Sequence, residues 1–262
     1  MKIISAVVFL PSTILIFYLL AASFALAQQS KPSSIEPLSG SFKPTLAVGY
    51  DAICNSSLFR KDKHSFFPTR EKASFLYKVI REHGTTFYTG EVQADKLYFR
   101  IKLPVAENGT LWKGNLPIFE TNAPNSPPLE EMKTLFSKSF ELGLSHIGKD
   151  YEEGKYASRN SLCDLVDAQP IGDTVGGDMG EGFVDIGGRQ AFLVTYNSID
   201  RCYINGVDVR LKIYGWLAID RASGLALKTS YKNSVYTGEN LVSEETNDIE
   251  CDLAINQFHS EK

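Results

Sequence analysis

GFVDIGGRQAFLVTYNSIDRCYINGVDVRLKIYGWLAID, residues 182–220, carries two tight-turn signals, Gly187-Gly188 and Asn205-Gly206. Two-residue hairpin turns of the primed types need positive φ at their centre, which glycine and asparagine adopt at little cost. The two turns share the strand between them. With Ile186 opposite Arg189 and Ile204 opposite Val207, alternation puts Phe192, Val194, Tyr196, Cys202 and Ile204 on one side. Val207, Val209, Leu211, Ile213, Leu217 and Ile219 join them there, because a period of two fixes which residues share a face.

Downstream, Asp220 to Gly224 makes a further turn, and Leu225, Leu227, Thr229, Tyr231 and Val235 continue the inward face. A last segment adds Ile249, Cys251, Leu253 and Ile255 inward, with Glu250 and Asp252 outward. Gly182 to Ile255 therefore reads as an antiparallel meander with one buried and one wet side. Trp216 and Tyr214 fall on the outward face, where a covering helix or an aromatic surface patch is expected.

Upstream, Thr86 to Val92 is rich in strand formers, and Leu97, Phe99, Ile101 and Leu103 alternate with Lys96, Tyr98, Arg100 and Lys102, the pattern of a half-buried strand. Leu46 to Cys54 is expected to be the first strand. Thr69 to Glu82 fits two periods. Phe75, Val79 and His83 make a helical face ended by Gly84, and Phe75, Tyr77 and Val79 also alternate as a strand; the helix is preferred. Pro128, Glu130 and Glu131 start a helix with acidic groups at the positive end of its dipole. Leu129, Met132, Leu135, Phe136 and Phe140 form its apolar stripe, suited to covering the sheet or to a lid over a cavity.

Lys2, the apolar run Ile3 to Leu20 and Ala25-Leu26-Ala27 have the charged start, hydrophobic middle and small-residue cleavage site of a secretory signal peptide over residues 1–27. Residues 28–44, rich in Ser, Pro and Gln, read as a flexible leader, with structure beginning near Thr45. After cleavage no transmembrane anchor is expected. The remaining chain of roughly 235 residues suits one domain, 45–262. With 27 basic and 31 acidic residues the formal charge is -4, without the basic excess that neutralises phosphates, so nucleic acid is excluded as a natural partner.

Four cysteines, Cys54, Cys163, Cys202 and Cys251, imply two disulfides in an exported chain. The register tests their pairing. Cys202 lies opposite position 209, whereas Cys251 belongs near 219, about 33 Å away at roughly 3.3 Å per residue; a bridge needs Cα atoms within about 7 Å. Cys202–Cys251 is disfavoured, leaving Cys54–Cys251 with Cys163–Cys202, or the crossed pair. The first is preferred because it clamps the first strand to the last.

No chemistry-bearing motif stands out. His64, His83, His146 and His259 have no paired metal-ligand spacing. Gly143-Leu144-Ser145-His146-Ile147 lacks the second glycine of a nucleophile elbow, so a hydrolase requires Ser145 and His146 to converge with Asp164 or Asp167. The glycine-rich stretch Gly172 to Gly182 is acidic and lacks a Gly-Lys-Ser/Thr ending, which argues against phosphate. Asp173, Asp178 and Glu181 fit no calcium-loop template and read as a solvated loop. No catalytic residue, metal or cofactor is assigned. Asn55-Ser56-Ser57 and Asn108-Gly109-Thr110 match the glycosylation sequon.

Gly215 to Lys228, in which a strand ends in Asp220, turns through Ser223-Gly224 and restarts with Leu225-Ala226-Leu227, resembles the hairpin of the LolA/LolB-like periplasmic lipoprotein-carrier superfamily. Asp185 to Val194 is similar to the strand pair before it. The pattern-level resemblance covers Thr85 to Leu103 and Gly182 to Ile255. It implies an incompletely closed β-barrel with helices at its mouth and an apolar cavity for acyl chains. The chain is also similar to envelope-integrity proteins of β-spiral form, in which an early and a late cysteine tie the ends together. The insert at 145–182 and the four cysteines depart from the carriers.

The expected architecture is mainly β (α+β): a strongly curved antiparallel sheet or incomplete β-barrel covered by one or two helices. The expected function is that of an exported, non-catalytic periplasmic protein binding an apolar ligand, a lipid or lipoprotein acyl chain, through Val209, Leu211, Ile213, Leu217 and Leu227. The alternative is an envelope structural or interaction protein with a filled core, whose partner is another cell-envelope protein.

Overall fold

A computed structural model describes residues 30–63, 69–94, 97–110, 118–121, 144–157, 161–166 and 168–255. In chain order the strands are β1 (Glu36–Pro37), β2 (Ser41–Phe42), β3 (Tyr50–Asp62), β4 (Thr69–Glu82), β5 (Thr85–Ala94), β6 (Leu97–Val105) and β7 (Ile118–Thr121). They continue as β8 (Tyr151–Glu152), β9 (Tyr156–Ala157), β10 (Gln169–Pro170), β11 (Val175–Ile186), β12 (Arg189–Ile204), β13 (Val207–Asp220), β14 (Ala226–Thr237) and β15 (Asn240–Ile255). One turn of 3-10 helix covers Leu162–Val166, and the described residues contain no α-helix.

The protein is mainly β, built on one large antiparallel sheet in the order β1-β11-β12-β13-β14-β15-β3-β4-β5-β6-β7, a path that does not close on itself. The two hairpin registers are as expected: Ile186 faces Arg189 and Ile204 faces Val207. Asn205 has φ 48° and Gly206 84°, the left-handed pair that lets such a turn follow the sheet's twist. What makes a single sheet of two meanders is β15. It pairs along Ser243–Ile255 with Asp62–Tyr50 of β3, and Cys251 stands directly opposite Cys54, to which it is bonded. The second disulfide joins Cys163 to Cys202.

Thr69–Glu82 is a strand, contrary to the helix preferred above. His83 (φ 48°) and Gly84 (φ 83°) form a tight turn that sets Glu82 opposite Thr85, and the aromatic and β-branched residues Phe75, Tyr77 and Val79 fill a half-buried face better than they fill a helix. Phe75 stacks on Tyr77 with ring centroids 6.2 Å apart, and Tyr77 on Tyr88 at 5.8 Å. The outer side of these strands is a ladder of charge. Lys78 and Arg100 bind Glu91, and Arg100 and Lys102 bind Glu120. The hydrogen bond from Lys102 holds the Glu120 carboxyl below its ordinary value.

From residue 30 on, the stretch expected to be a flexible leader forms a strap, which residues 45–50 continue. Glu36 and Pro37 pair with Phe183 and Gly182, and the apolar residues spaced along it enter each of the three packed clusters. Ile35 joins Val184, Ala191, Leu193, Trp216, Ala218 and Leu227. Leu38 and Phe42 join Tyr151, Phe192, Val194, Leu217 and Ile219. Leu46, Val48 and Tyr50 join the cluster that includes Val79, Phe99 and Ile101. Backbone bonds fasten the strap at intervals: Leu46 N donates to Gly109 O (2.8 Å) and Ala47 N to Ser223 O (3.0 Å). A Cβ at Gly224 would lie 2.1 Å from the Thr45 carbonyl oxygen, so only glycine fits beneath it.

The glycine-rich run expected to be a loop belongs mostly to β11. Removing side chains is what lets other segments cross this strand: a Cβ at Gly182 would meet Glu36 O at 2.0 Å, and one at Gly180 would meet Phe192 at 2.6 Å and Tyr151 at 2.9 Å. The expected signal peptide at 1–27 and the helix at 129–140 lie outside the described residues.

Candidate functional site

Because directly opposed residues point to one side of a sheet, the pairings define transverse rows on the face bearing Leu217. One row is Val194, Leu217, Thr229, Ile249; the next is Tyr196, Gly215, Tyr231, Asn247, Leu58. Beyond it come Ser198, Ile213, Asn233, Glu245, Arg60, and then Asp200, Leu211, Val235, Ser243, Asp62. Cys202 and Val209 close the series.

The five expected ligand residues do not stay together. Leu217 is buried among Phe192, Val194, Ile219, Tyr151 and Leu38. Leu227 packs instead with Trp216, Ala218, Ala191 and Leu193, and the reason is a bulge. Ala218 pairs with Lys228 but Ile219 with Ala226, so β14 holds one extra residue there and the alternation breaks at Leu227. Val209 and Ile213 are buried and Leu211 is half-buried, and they occupy alternate positions of β13 on the Leu217 side. Trp216, expected outward, is on the opposite side from Leu217 but buried in the cluster that Ile35 helps to cover, whereas Tyr214 is exposed.

This division predicts a result. Leu217→Ala and Leu227→Ala each lose about 2–5 kcal/mol of stability, and because their clusters are separate the double variant loses the sum within about 0.5 kcal/mol. Urea unfolding of the three variants measures it; strong coupling would show one shared cavity.

Beyond Leu217 the face turns polar. Asn247 Nδ2 donates to the Tyr231 hydroxyl at 2.8 Å. Ser198 and Asn247 are both 0 % exposed, and Ser198 Oγ and Asn247 Oδ1 have no hydrogen-bond partner among the described residues. Asp200 is engaged: Ser161 Oγ (3.1 Å), Leu162 N (3.2 Å) and Thr174 Oγ1 (2.5 Å) donate to it. It thereby seats the 3-10 turn whose Cys163 is bonded to Cys202.

At the other end Asp220 organises the turn that carries the carrier-like pattern. It is 2 % exposed, and Arg189 Nε and Nη2 donate to its two oxygens at 2.8 and 3.1 Å. The backbone N–H and hydroxyl of Ser223 donate at 2.8 and 2.7 Å. Burial alone raises the carboxyl's pKa, but the bonds from Arg189 and Ser223 outweigh it and leave Asp220 below its ordinary value. Desolvation pushes the partly buried Tyr77 phenol up to about 12.

The remaining sequence candidates scatter. Ser145 and His146 sit in the turn at 144–148, whose Leu144 and Ile147 pack into the cluster of β3–β6. Asp164 is in the 3-10 turn held against β12, and Asp167 lies outside the described residues. Asp178 is buried against Lys149 Nζ at 2.7 Å, and Glu181 accepts from Lys31 and Thr195, each at 2.9 Å. Asp173 is exposed. Asn55 of the first sequon accepts from Ser74 Oγ at 2.8 Å, and Asn108 of the second accepts from Thr110.

These features define a disulfide-linked protein built on an open antiparallel sheet. The chain matches no protein-family model and no curated protein. Two disulfides are compatible with an oxidising extracellular or periplasmic setting, and among the described residues no helix is long and apolar enough to cross a membrane.

Proposed function

We propose that the chain is an exported, non-catalytic protein of the cell envelope that works through its surfaces, its interior being filled by its own side chains. The observation that supports this reading is the separation of Leu217 from Leu227 into two packed clusters, which divides the expected lining between the two faces of the sheet. The signal-like residues 1–27 and the two disulfides support export.

A second reading, an acyl-chain carrier on a strongly curved sheet, draws on the resemblance of Gly215 to Lys228 to the lipoprotein carriers. It is favoured by Val209, Leu211 and Ile213, which share one face of β13 and belong to none of the three clusters. Native mass spectrometry after gentle purification separates the two. The mass of the oxidised polypeptide alone is expected, and a stoichiometric lipid would transfer the assignment to the carrier reading.

A further inference from the structure

We propose that the native protein is the product of a disulfide-exchange step, its misbridged oxidised chain being a substrate for a dithiol isomerase of the oxidising compartment. This rests on the reading of the chain as exported, and adds the class of reaction that must come before the folded state. The bridges are nested, with Cys163–Cys202 inside the loop that Cys54–Cys251 closes. In chain order Cys54 is followed by two foreign thiols before its own partner.

Loop statistics do not select the native set. In an unfolded chain the chance of contact falls as about the −3/2 power of the separation. Cys163 and Cys202, 39 residues apart, close most readily, but the Cys202–Cys251 loop is only about ten residues longer. Cys54–Cys251, at 197, is the least favoured of the six possible bridges. Weighted in this way, roughly half of the chains make a first bridge that excludes the native set. The folded sheet would choose correctly, since β15 sets Cys251 opposite Cys54 and Asp200 holds the turn carrying Cys163 against β12. Those contacts join residues far apart in sequence and form slowly, after a fast oxidant has acted. A wrong bridge cannot be carried into the fold: Cys202 on β12 and Cys251 on β15 stand three strands apart. At roughly 4.8 Å per strand that is about 14 Å, twice the reach of a disulfide. Exchange therefore precedes closure, which buries all four cysteines.

The step balances without net oxidation. In a chain bridged Cys54–Cys163 and Cys202–Cys251, a thiolate of the isomerase attacks the Cys251 sulfur, breaks that S–S bond and frees Cys202 as a thiolate. Cys202 attacks the Cys163 sulfur, which forms one native bridge and releases the Cys54 thiolate. Cys54 then attacks the Cys251 sulfur, forms the other native bridge and expels the isomerase thiolate. Two disulfides enter and two leave, so no electron is gained or lost and the isomerase is regenerated. The preceding oxidation, which takes four electrons and four protons from the four thiols, uses an oxidant of the disulfide class.

Reduced, unfolded full chain, diluted out of guanidinium into diamide, a thiol-free oxidant, tests this, with its bridges mapped by peptide mass spectrometry without reduction. Native pairs are expected in no more than about half of the molecules. Adding reduced glutathione, or a protein disulfide isomerase in substoichiometric amount, should raise that fraction about twofold. Native pairs in nearly all molecules under diamide alone, or a misbridged fraction that neither addition converts, overturns the exchange step while leaving the export reading standing. That reading falls separately, if cell fractionation leaves the chain in the cytoplasm.

Discussion

Replacing Cys54 and Cys251 by alanine is expected to destabilise the protein by as much as about 5 kcal/mol, more than the corresponding change at Cys163 and Cys202, for which about 4 kcal/mol is expected. The difference follows from loop length: the first bridge spans a sequence separation of 197, the second 39, and loop-closure entropy grows with the logarithm of the loop. The first bridge also sits where the two meanders meet, with Cys251 directly opposite Cys54 in the β15–β3 pairing. Guanidinium unfolding of both double variants measures the order. A loss below about 1 kcal/mol for the Cys54–Cys251 variant would mean that the paired strands hold that seam unaided.

Asp220→Asn is the second large effect, about 3 kcal/mol. The carboxylate receives both prongs of Arg189 and two bonds from Ser223, and an amide keeps the shape but puts a donor where an acceptor is needed. The pH dependence gives a separate check. Because the folded carboxyl titrates below its ordinary value, its contribution is fully present above the unfolded pKa of about 3.9. It is lost as pH falls through the lower folded value, where the unfolded chain has already taken up the proton. Urea midpoints should therefore fall with acidification below about pH 4 more steeply in the native protein than in Asp220→Asn; parallel curves would remove Asp220 from the account.

Much of the C-terminal half was legible in the residues because Gly187-Gly188 and Asn205-Gly206 admit few backbone conformations, and one fixed turn propagates its register along a whole strand. The same register disfavours a Cys202–Cys251 bridge, whereas the preference for Cys54–Cys251, which the structure bears out, rests on its clamping the first strand to the last. Thr69–Glu82 resisted because its apolar residues satisfy both periods, and the decision was made by the His83-Gly84 turn and by the partners Thr85–Val92 across it. Gly176, Gly177, Gly180 and Gly182 carry no side-chain periodicity, so a strand crossed closely by other segments looked like a loop. Ile35, Leu38 and Phe42 were obscured by the Ser and Pro between them. At the candidate site, Leu227 was misplaced because a bulge leaves no mark in alternation. The polar rows were missed because Ser198, Tyr231 and Asn247 fall on one face only when register is carried across four strands.

The seam between β15 and β3 also sets a schedule. A chain emerging from its N-terminus exposes β3 with one long edge unpaired until residues 243–255 arrive, nearly two hundred positions later. Until then that edge and the free edge of β14 are templates for other strands, and the strap's apolar residues have only partial clusters to enter. Contacts of such sequence separation make folding slow. Closure of the seam thus waits for the last strand, which favours keeping the growing chain unfolded until that strand can dock.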